Sequence, residues 1–386
     1  MEPAAITDRG WLGELGLDGR LRAVRGVLPA VLAARDAGIE RIVVPAPNGS
    51  EAALVSGIQV EIARSLAEVV LALRGTGPAL GPAVVTAAQD FDPSPDLADV
   101  VGQPVARRAL EVAAAGAHHL LLSGSPGAGK TMLAARLPGI LPRLTDEAAL
   151  EVTAVHSVAG VLPAGLGLVR RPPLQAPHHT CSSVALVGGG SGMARPGAAS
   201  LAHHGVLVLD EAAEFTPKVL DSLRQPLESG RIVLHRTGGA VEYPARFQLV
   251  LATNPCPCGA PKPVNCSCTA DARRRYQNRL SGPLTDRIDL QIAIEPVSKT
   301  DLMGDWGAAE SSATVAHRVL DARAAAGERW QRLGWTTSAE VPGPILRAKP
   351  WRPPPAAMGP LMNEFDTGRI SARGCDRVLK LAWTVH

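Results

Sequence analysis

No apolar run in the 386-residue sequence approaches the roughly eighteen residues that a membrane-spanning helix requires, so no membrane partner is expected. The stretch from Met1 to Gly26 alternates charged and apolar residues and lacks the apolar centre of a signal peptide. Aromatic residues make up only 3% of the chain, and five of the six tryptophans follow residue 305. A base-stacking platform is therefore not expected in the earlier part. Cysteine is scarce, six residues with four of them crowded between 256 and 268. That is no disulfide framework, and a reducing cytoplasm is the expected location. The net charge of +3 excludes nucleic-acid binding through bulk charge alone, while a local basic stripe stays compatible with it. Lysine is scarce too, 6 residues against 33 arginines, and none precedes Lys130.

What is present is apolar substance. Hydrophobic residues reach 46% with a mean hydropathy of +0.09, enough to bury a sizeable core and to exclude wholesale disorder. Length alone suggests roughly two or three domains. Residues 1–75 read as a small α/β piece, with helical spacing from Val27 to Ala37, a β-branched strand from Arg41 to Pro45, and helices at Glu51 to Val55 and Ser65 to Leu73. Glycine and proline make residues 76–95 a linker. A second block, 96–295, alternates strand and helix. His119 to Leu122, Gly205 to Leu209 and Phe247 to Ala252 are near-continuous apolar runs, as strands of a parallel sheet buried on both faces should be. Thr216 and Pro217 open a helix with Val219, Leu220, Leu223 and Leu227 on one face, closed by Gly230. Ile232 to Leu234 and Val241 to Tyr243 flank Gly238-Gly239 as a hairpin. Residues 296–386 turn helical, at Ser312 to Leu333, Ala356 to Asp366 and Ser371 to Val385.

Gly124-Ser125-Pro126-Gly127-Ala128-Gly129-Lys130-Thr131 matches the Walker A pattern in full, after a strand and at the opening of a helix. Its glycines let successive N–H groups turn toward phosphate oxygens, Lys130 adds a point charge, and the Thr131 hydroxyl is a Mg²⁺ ligand. ATP and Mg²⁺ are the expected cofactors. Val206 to Leu209 ends in Asp210-Glu211. Such a pair usually begins a helix, but downstream of a phosphate loop Asp210 reads as the second Mg²⁺ ligand and Glu211 as the base for the attacking water. Asn254, at the tip of the next strand, is the candidate that meets the γ-phosphate or the water.

These motifs, together with Ser200-Leu-Ala-His-His-Gly, Asn254-Pro-Cys-Pro-Cys-Gly and Leu280-Ser-Gly-Pro-Leu-Thr-Asp-Arg-Ile-Asp289, resemble the magnesium-chelatase-like AAA+ ATPases of the YifB/ComM type. The resemblance extends over essentially the whole chain. It implies an α/β fold: a P-loop AAA+ core with its parallel sheet sandwiched by helices, a helical lid at 296–386, and a partial Lon-protease-like α/β domain at 1–75. It also implies further residues of the family at both ends, the chain reading as truncated there. By the family's pattern Arg287 is the arginine finger offered to the next subunit of a homo-oligomeric ring, a hexamer, and Arg373 is the sensor-2 arginine of the lid. Either arginine alone would more often be a surface ion-pair residue. The insert at about 155–204 and the hairpin at 231–244 resemble family elements that project toward a central pore. The Lon-like resemblance raises a Ser–Lys protease, but 1–129 holds no lysine to serve Ser50 or Ser56.

Two features remain. The histidine pairs of the insert, His178-His179 and His203-His204, have no cysteine or carboxylate at ligand spacing and read as non-metal. Cys256-Pro-Cys258 and Cys266-Ser-Cys268 bring four thiols into one short loop, followed by Arg273, Arg274, Arg275 and Arg279. Zn²⁺, an iron–sulfur cluster and a reduced cysteine-rich loop are all compatible with that spacing. For function the leading expectation is an ATP-hydrolysing ring motor on DNA, a helicase or branch-migration factor. The alternatives are a chelatase- or MoxR-like ATPase that remodels a protein partner, and a binding module that does not hydrolyse ATP.

Overall fold

The computed structural model describes residues 8–85, 94–163, 165–190, 194–236, 239–260, 265–280, 282–298, 303 and 309–386. The chain forms two compact units, one from Met1–Asp92, Leu144–Arg170 and Gly190–Pro196, the other from Pro93–Arg143, Arg171–Gly189 and Gly197–His386.

The first unit is built on a four-stranded sheet in the order β1 (Arg9–Trp11), β2 (Arg41–Pro45), β3 (Gln59–Ala63) and β4 (Gly81–Pro82). The first three strands are parallel and β4 runs antiparallel on the edge. β4 falls inside the stretch read from composition as a linker, whose residues 86–93 lie outside the described residues. Pro82 lacks an amide donor and so suits an edge, while the Ala83 amide bonds Val60 O at 2.9 Å. The helix Val27–Asp36 buries Val27, Leu28 and Val31 against Ile42, Val44 and Val60. The helix Asp146–Ala159 joins the same core through Leu150 and Ala154. Thr145 caps its start, and Gly160, in the left-handed region, ends it.

The second unit carries β5 (Leu120–Gly124), β6 (Leu174–Gln175), β7 (Val206–Leu209), the hairpin β8 (Arg231–Arg236) and β9 (Gly239–Pro244), then β10 (Gln248–Thr253) and β11 (Leu290–Ile294). Five of these form one parallel sheet in the order β11-β5-β10-β7-β6. Alternation along the strands divides the core between the two faces. Leu120, Leu122, Val206 and Val208 pack with Leu110, Leu133, Ile140 and Val319, whereas Leu121, Leu207 and Leu209 pack with Leu186, Phe215, Leu220 and Leu223. Each fully buried leucine contributes on the order of 1.5–3 kcal/mol, so this sheet is the anchor of the unit.

Sequence spacing suggested one helix from Pro217 to Ser229. Two short ones form instead, Pro217–Asp221 and Arg224–Ser229. Pro226 cannot donate to residue 222 and its ring crowds that carbonyl, which breaks the ladder. β8 and β9 pair antiparallel as expected, with residues 237 and 238, including the predicted Gly238, outside the described residues. Toward the C-terminus the helices Ser312–Trp330, Pro355–Asp366 and Ala372–Val385 follow. Four of the late tryptophans are structural: Trp330 is fully buried, packs tilted against Trp351 with ring centroids 4.5 Å apart and meets Trp383 at 5.6 Å, with Trp335 beside the cluster.

Candidate functional site

Parallel strands deliver their loops to one edge, and the register sets which loops meet. Ser123 pairs with Thr253 and Leu209 with Leu251, so the residues after β5, β7 and β10 emerge together at the carboxyl ends of adjacent strands. These are the glycine-rich loop, Asp210-Glu211 and Asn254. The loop curls through left-handed backbone at Gly127 (φ 76°) and Gly129 (φ 91°), which glycine adopts without strain. A Cβ built on Gly127 meets nothing within 4 Å, leaving an open cradle. Ser125 Oγ is buried there without a hydrogen-bond partner.

Lys130 is only 7% exposed. Its ammonium donates to Gly124 O (2.7 Å), Ser125 O (2.8 Å) and Asn254 Oδ1 (3.1 Å), all neutral acceptors. Burial pulls its pKa below the ordinary lysine value, and the charges of Asp210 and Glu211 oppose that. Thr131 Oγ1 donates to Asp210 Oδ2 at 2.6 Å, so two oxygen ligands suited to a divalent cation stand side by side. The Glu211 amide donates to Asp210 Oδ1 at 2.8 Å. Glu211 itself takes a left-handed φ of 52°, uncommon for a residue with a Cβ, which swings its exposed carboxylate off the strand direction. The carboxylate meets His179 Nδ1 at 3.0 Å, and His179 is held in turn between His178 and Phe215. The sequence offered no metal role for this histidine and gave no sign of its pairing with Glu211.

The two arginines have other surroundings among the described residues. Arg287 follows the short helix Gly282–Thr285, and its half-buried guanidinium bonds Glu228 and Pro283 O. Arg373 is exposed on the first turn of Ala372–Val385. Among the described residues neither forms a bond or ion pair with Lys130, Thr131, Asp210 or Glu211. Sequence reasoning missed Arg377, which reaches from that helix to Thr285 O (3.1 Å) and Ile288 O (2.6 Å) and so clamps the segment that carries Arg287. Nearby, Asp289 bonds the fully buried His118 at 3.2 Å, and His118 bonds Thr384 at 2.7 Å. Burial works against the Asp289 charge, yet His118, His119 and Lys380 together hold its carboxyl below the usual range.

Beyond Asn254 the chain enters the cysteine loop. Cys256 Sγ lies 3.3 Å from Cys258 Sγ and 3.5 Å from Cys266 Sγ, and Cys258 lies 3.7 Å from Cys266. With Cys268 all four sulfurs fall within 4.8 Å of one another, and all are free thiols. The Ala260 amide and the neighbouring thiols hold Cys258 down to about 6, while burial pushes Cys256 up. The arginines that follow are exposed, with Arg274 paired to Asp271 (2.8 Å) and Arg279 to Glu214 (3.0 Å).

A parallel five-stranded sheet with a phosphate-type loop after one strand and an acidic pair after another defines a P-loop protein of AAA+ architecture. Comparison with known proteins narrows this. Residues 96–302 match the family described as magnesium chelatase, subunit ChlI; residues 309–386 match its C-terminal part, and residues 2–48 match subunit ChlI of Mg-chelatase. The chain is 55% identical over 376 residues to the uncharacterized protein Rv2897c of Mycobacterium tuberculosis, covering 97% of this chain and 74% of that one. It is 44% identical over 337 residues to the competence protein ComM of Haemophilus influenzae and 44% identical over 336 residues to the uncharacterized protein YifB of Escherichia coli, in each case covering 86% of this chain and 65% of the relative. This chain belongs to the magnesium-chelatase-like AAA+ family of the YifB/ComM type, a family of ATPase-type motors that use nucleotide and Mg²⁺. Among the described residues no helix is long and apolar enough to cross a membrane.

Proposed function

We propose that this chain is the ATP-hydrolysing subunit of a homo-oligomeric ring, a hexamer, that works on DNA in the cytoplasm as a helicase or branch-migration motor. The single observation that carries the ATPase part is Lys130: a buried ammonium whose hydrogen bonds go to neutral oxygens is poised for an anionic ligand. The open cradle at Gly127 and the orphaned Ser125 hydroxyl fit a triphosphate in the same place. Thr131 and Asp210 would hold Mg²⁺, which neutralises charge on the phosphate oxygens.

The remaining chemistry falls to side chains. Lys130 binds and orients the phosphates, exchanging carbonyl partners for phosphate oxygens. Glu211 accepts a proton from the attacking water as it adds to the terminal phosphorus, and ADP and phosphate leave. Asn254, already bonded to Lys130, keeps the ammonium and the water in register. Arg287 from a neighbouring subunit meets the charge on the transferred group, and Arg373 meets it from the lid.

Support for DNA as the track comes from the exposed arginines Arg273, Arg274, Arg275 and Arg279 and from His235 and Arg236 at the end of β8. A protein-remodelling role is the second reading, favoured by the magnesium chelatase match and the low net charge. ATP turnover measured alone, with single-stranded DNA and with forked duplexes separates them. Several-fold stimulation together with strand displacement supports the motor on DNA. Steady turnover indifferent to DNA supports the remodeller, and an assembled oligomer without turnover overturns both.

A further inference from the structure

We infer that Cys256, Cys258, Cys266 and Cys268 form a tetrathiolate centre for a single Zn²⁺ ion. The inference stands apart from the ATPase reading. Four thiolates bound at about 2.3 Å to one tetrahedral ion must lie about 3.8 Å from one another. The sulfur separations of 3.3, 3.5 and 3.7 Å, with the fourth sulfur inside the same 4.8 Å group, fit that figure. A disulfide brings its sulfurs to about 2.05 Å, so these contacts are not covalent pairs. An iron–sulfur cluster would force the four thiolates apart around its own iron and sulfide, and the group is too compact to surround one. Four soft sulfur donors without an oxygen ligand select zinc over magnesium or calcium.

The chain supplies a framework for the ion. One Cys-x-Cys arm leaves the tip of β10 directly after Asn254-Pro255, and the other ends at Cys268, beside Thr269, the cap of the helix Ala270–Gln277. Cys256 is buried while the other three reach solvent, which gives a protected ligand and an entry path. Between the arms Gly259 turns with φ 63°, and a Cβ there would come within 2.7 Å of Pro126 in the phosphate loop. The ion therefore fixes a loop that rests on Pro126 and starts at Asn254. On binding, the thiols release their protons to solvent as the four Zn–S bonds form, with no redox change.

The test uses the full chain, purified under reductant without chelator or metal-affinity resin, with zinc and iron measured by elemental analysis. About one zinc per chain is expected, with iron below a tenth of that. Replacement by Co²⁺ should give the visible bands of a tetrahedral thiolate site, and Cys256→Ser with Cys258→Ser should lose at least nine-tenths of the metal. Should that variant fail to fold, titration of the wild type with an organomercurial serves instead, expected to release one zinc as four thiols are modified. Protein that carries no zinc and takes up neither stoichiometric Zn²⁺ nor Co²⁺ when reduced overturns the assignment. So does iron in place of zinc.

Discussion

An ammonium that is 7% exposed and, among the described residues, bonded only to neutral oxygens marks the centre of the site, because no described residue of opposite charge pairs with it. Its lowered pKa has a direct consequence. Phosphate binding needs the charged form, which is complete well below the pKa and lost as pH rises through it. Affinity for a fluorescent ADP analogue should therefore start to fall at a pH below the ordinary lysine value of 10.5, and Lys130→Met should show weak affinity at every pH. Glu211→Gln has a different signature. It should keep nucleotide affinity within about threefold while turnover drops about a hundredfold or more, as loss of a general base does; unchanged turnover in an assembled oligomer would remove Glu211 from that role. The glycine-rich loop, Asp210 and Asn254 were legible in the sequence because each is a local pattern at a strand end. His179 was not, since its meeting with Glu211 is made by folding across the insert and leaves no trace in spacing.

At the scale of elements, the helix Ser312–Trp330 is tied to the helix Pro104–Gly116 by Arg318, which grips Glu111 at 2.8 and 3.1 Å. The Arg318 guanidinium, against the cost of burial, holds the Glu111 carboxyl below its usual 4.5. A carboxylate with a depressed folded pKa stabilises fully above its unfolded pKa and loses that contribution as pH falls through the folded value. Urea unfolding should show Glu111→Gln less stable by about 1 kcal/mol at pH 7, with the difference fading as pH falls below the usual 4.5 and through the depressed folded value. Arg377 ties Ala372–Val385 to the carbonyls around Arg287. Arg377→Ala should slow turnover about tenfold while nucleotide affinity holds, because the finger is displaced rather than removed; an equal loss of affinity would count against this. The strands β5, β7 and β10 were readable from runs of leucine and valine, because a parallel strand is apolar on both faces, whereas β1, β3 and β6 carry no such run and were not read. The helix after Thr216 was not read correctly, because Pro226 sits on its apolar face and the spacing of Leu223 and Leu227 conceals the break.

At the scale of the whole molecule the proposal depends on a second copy. The phosphate site gathers Lys130, Thr131, Asp210, Glu211 and Asn254 from one chain, while Arg287 is paired to Glu228 and, among the described residues, makes no bond to any of the first four. In the proposed ring the neighbour's Arg287 completes the site, and arginine fingers contribute roughly 10³–10⁵ in rate. The direct measurement is ATP turnover of mixed oligomers. Arg287→Ala alone should bind nucleotide and hydrolyse it at under about one-hundredth of the wild-type rate, and Lys130→Ala alone should bind weakly and not hydrolyse. Mixed in equal amounts, with mixed assembly verified by mass, the two should recover turnover at interfaces where an intact Lys130 pocket faces an intact Arg287. Mixed oligomers that form and remain as inactive as either variant alone would contradict a site completed by the neighbouring subunit.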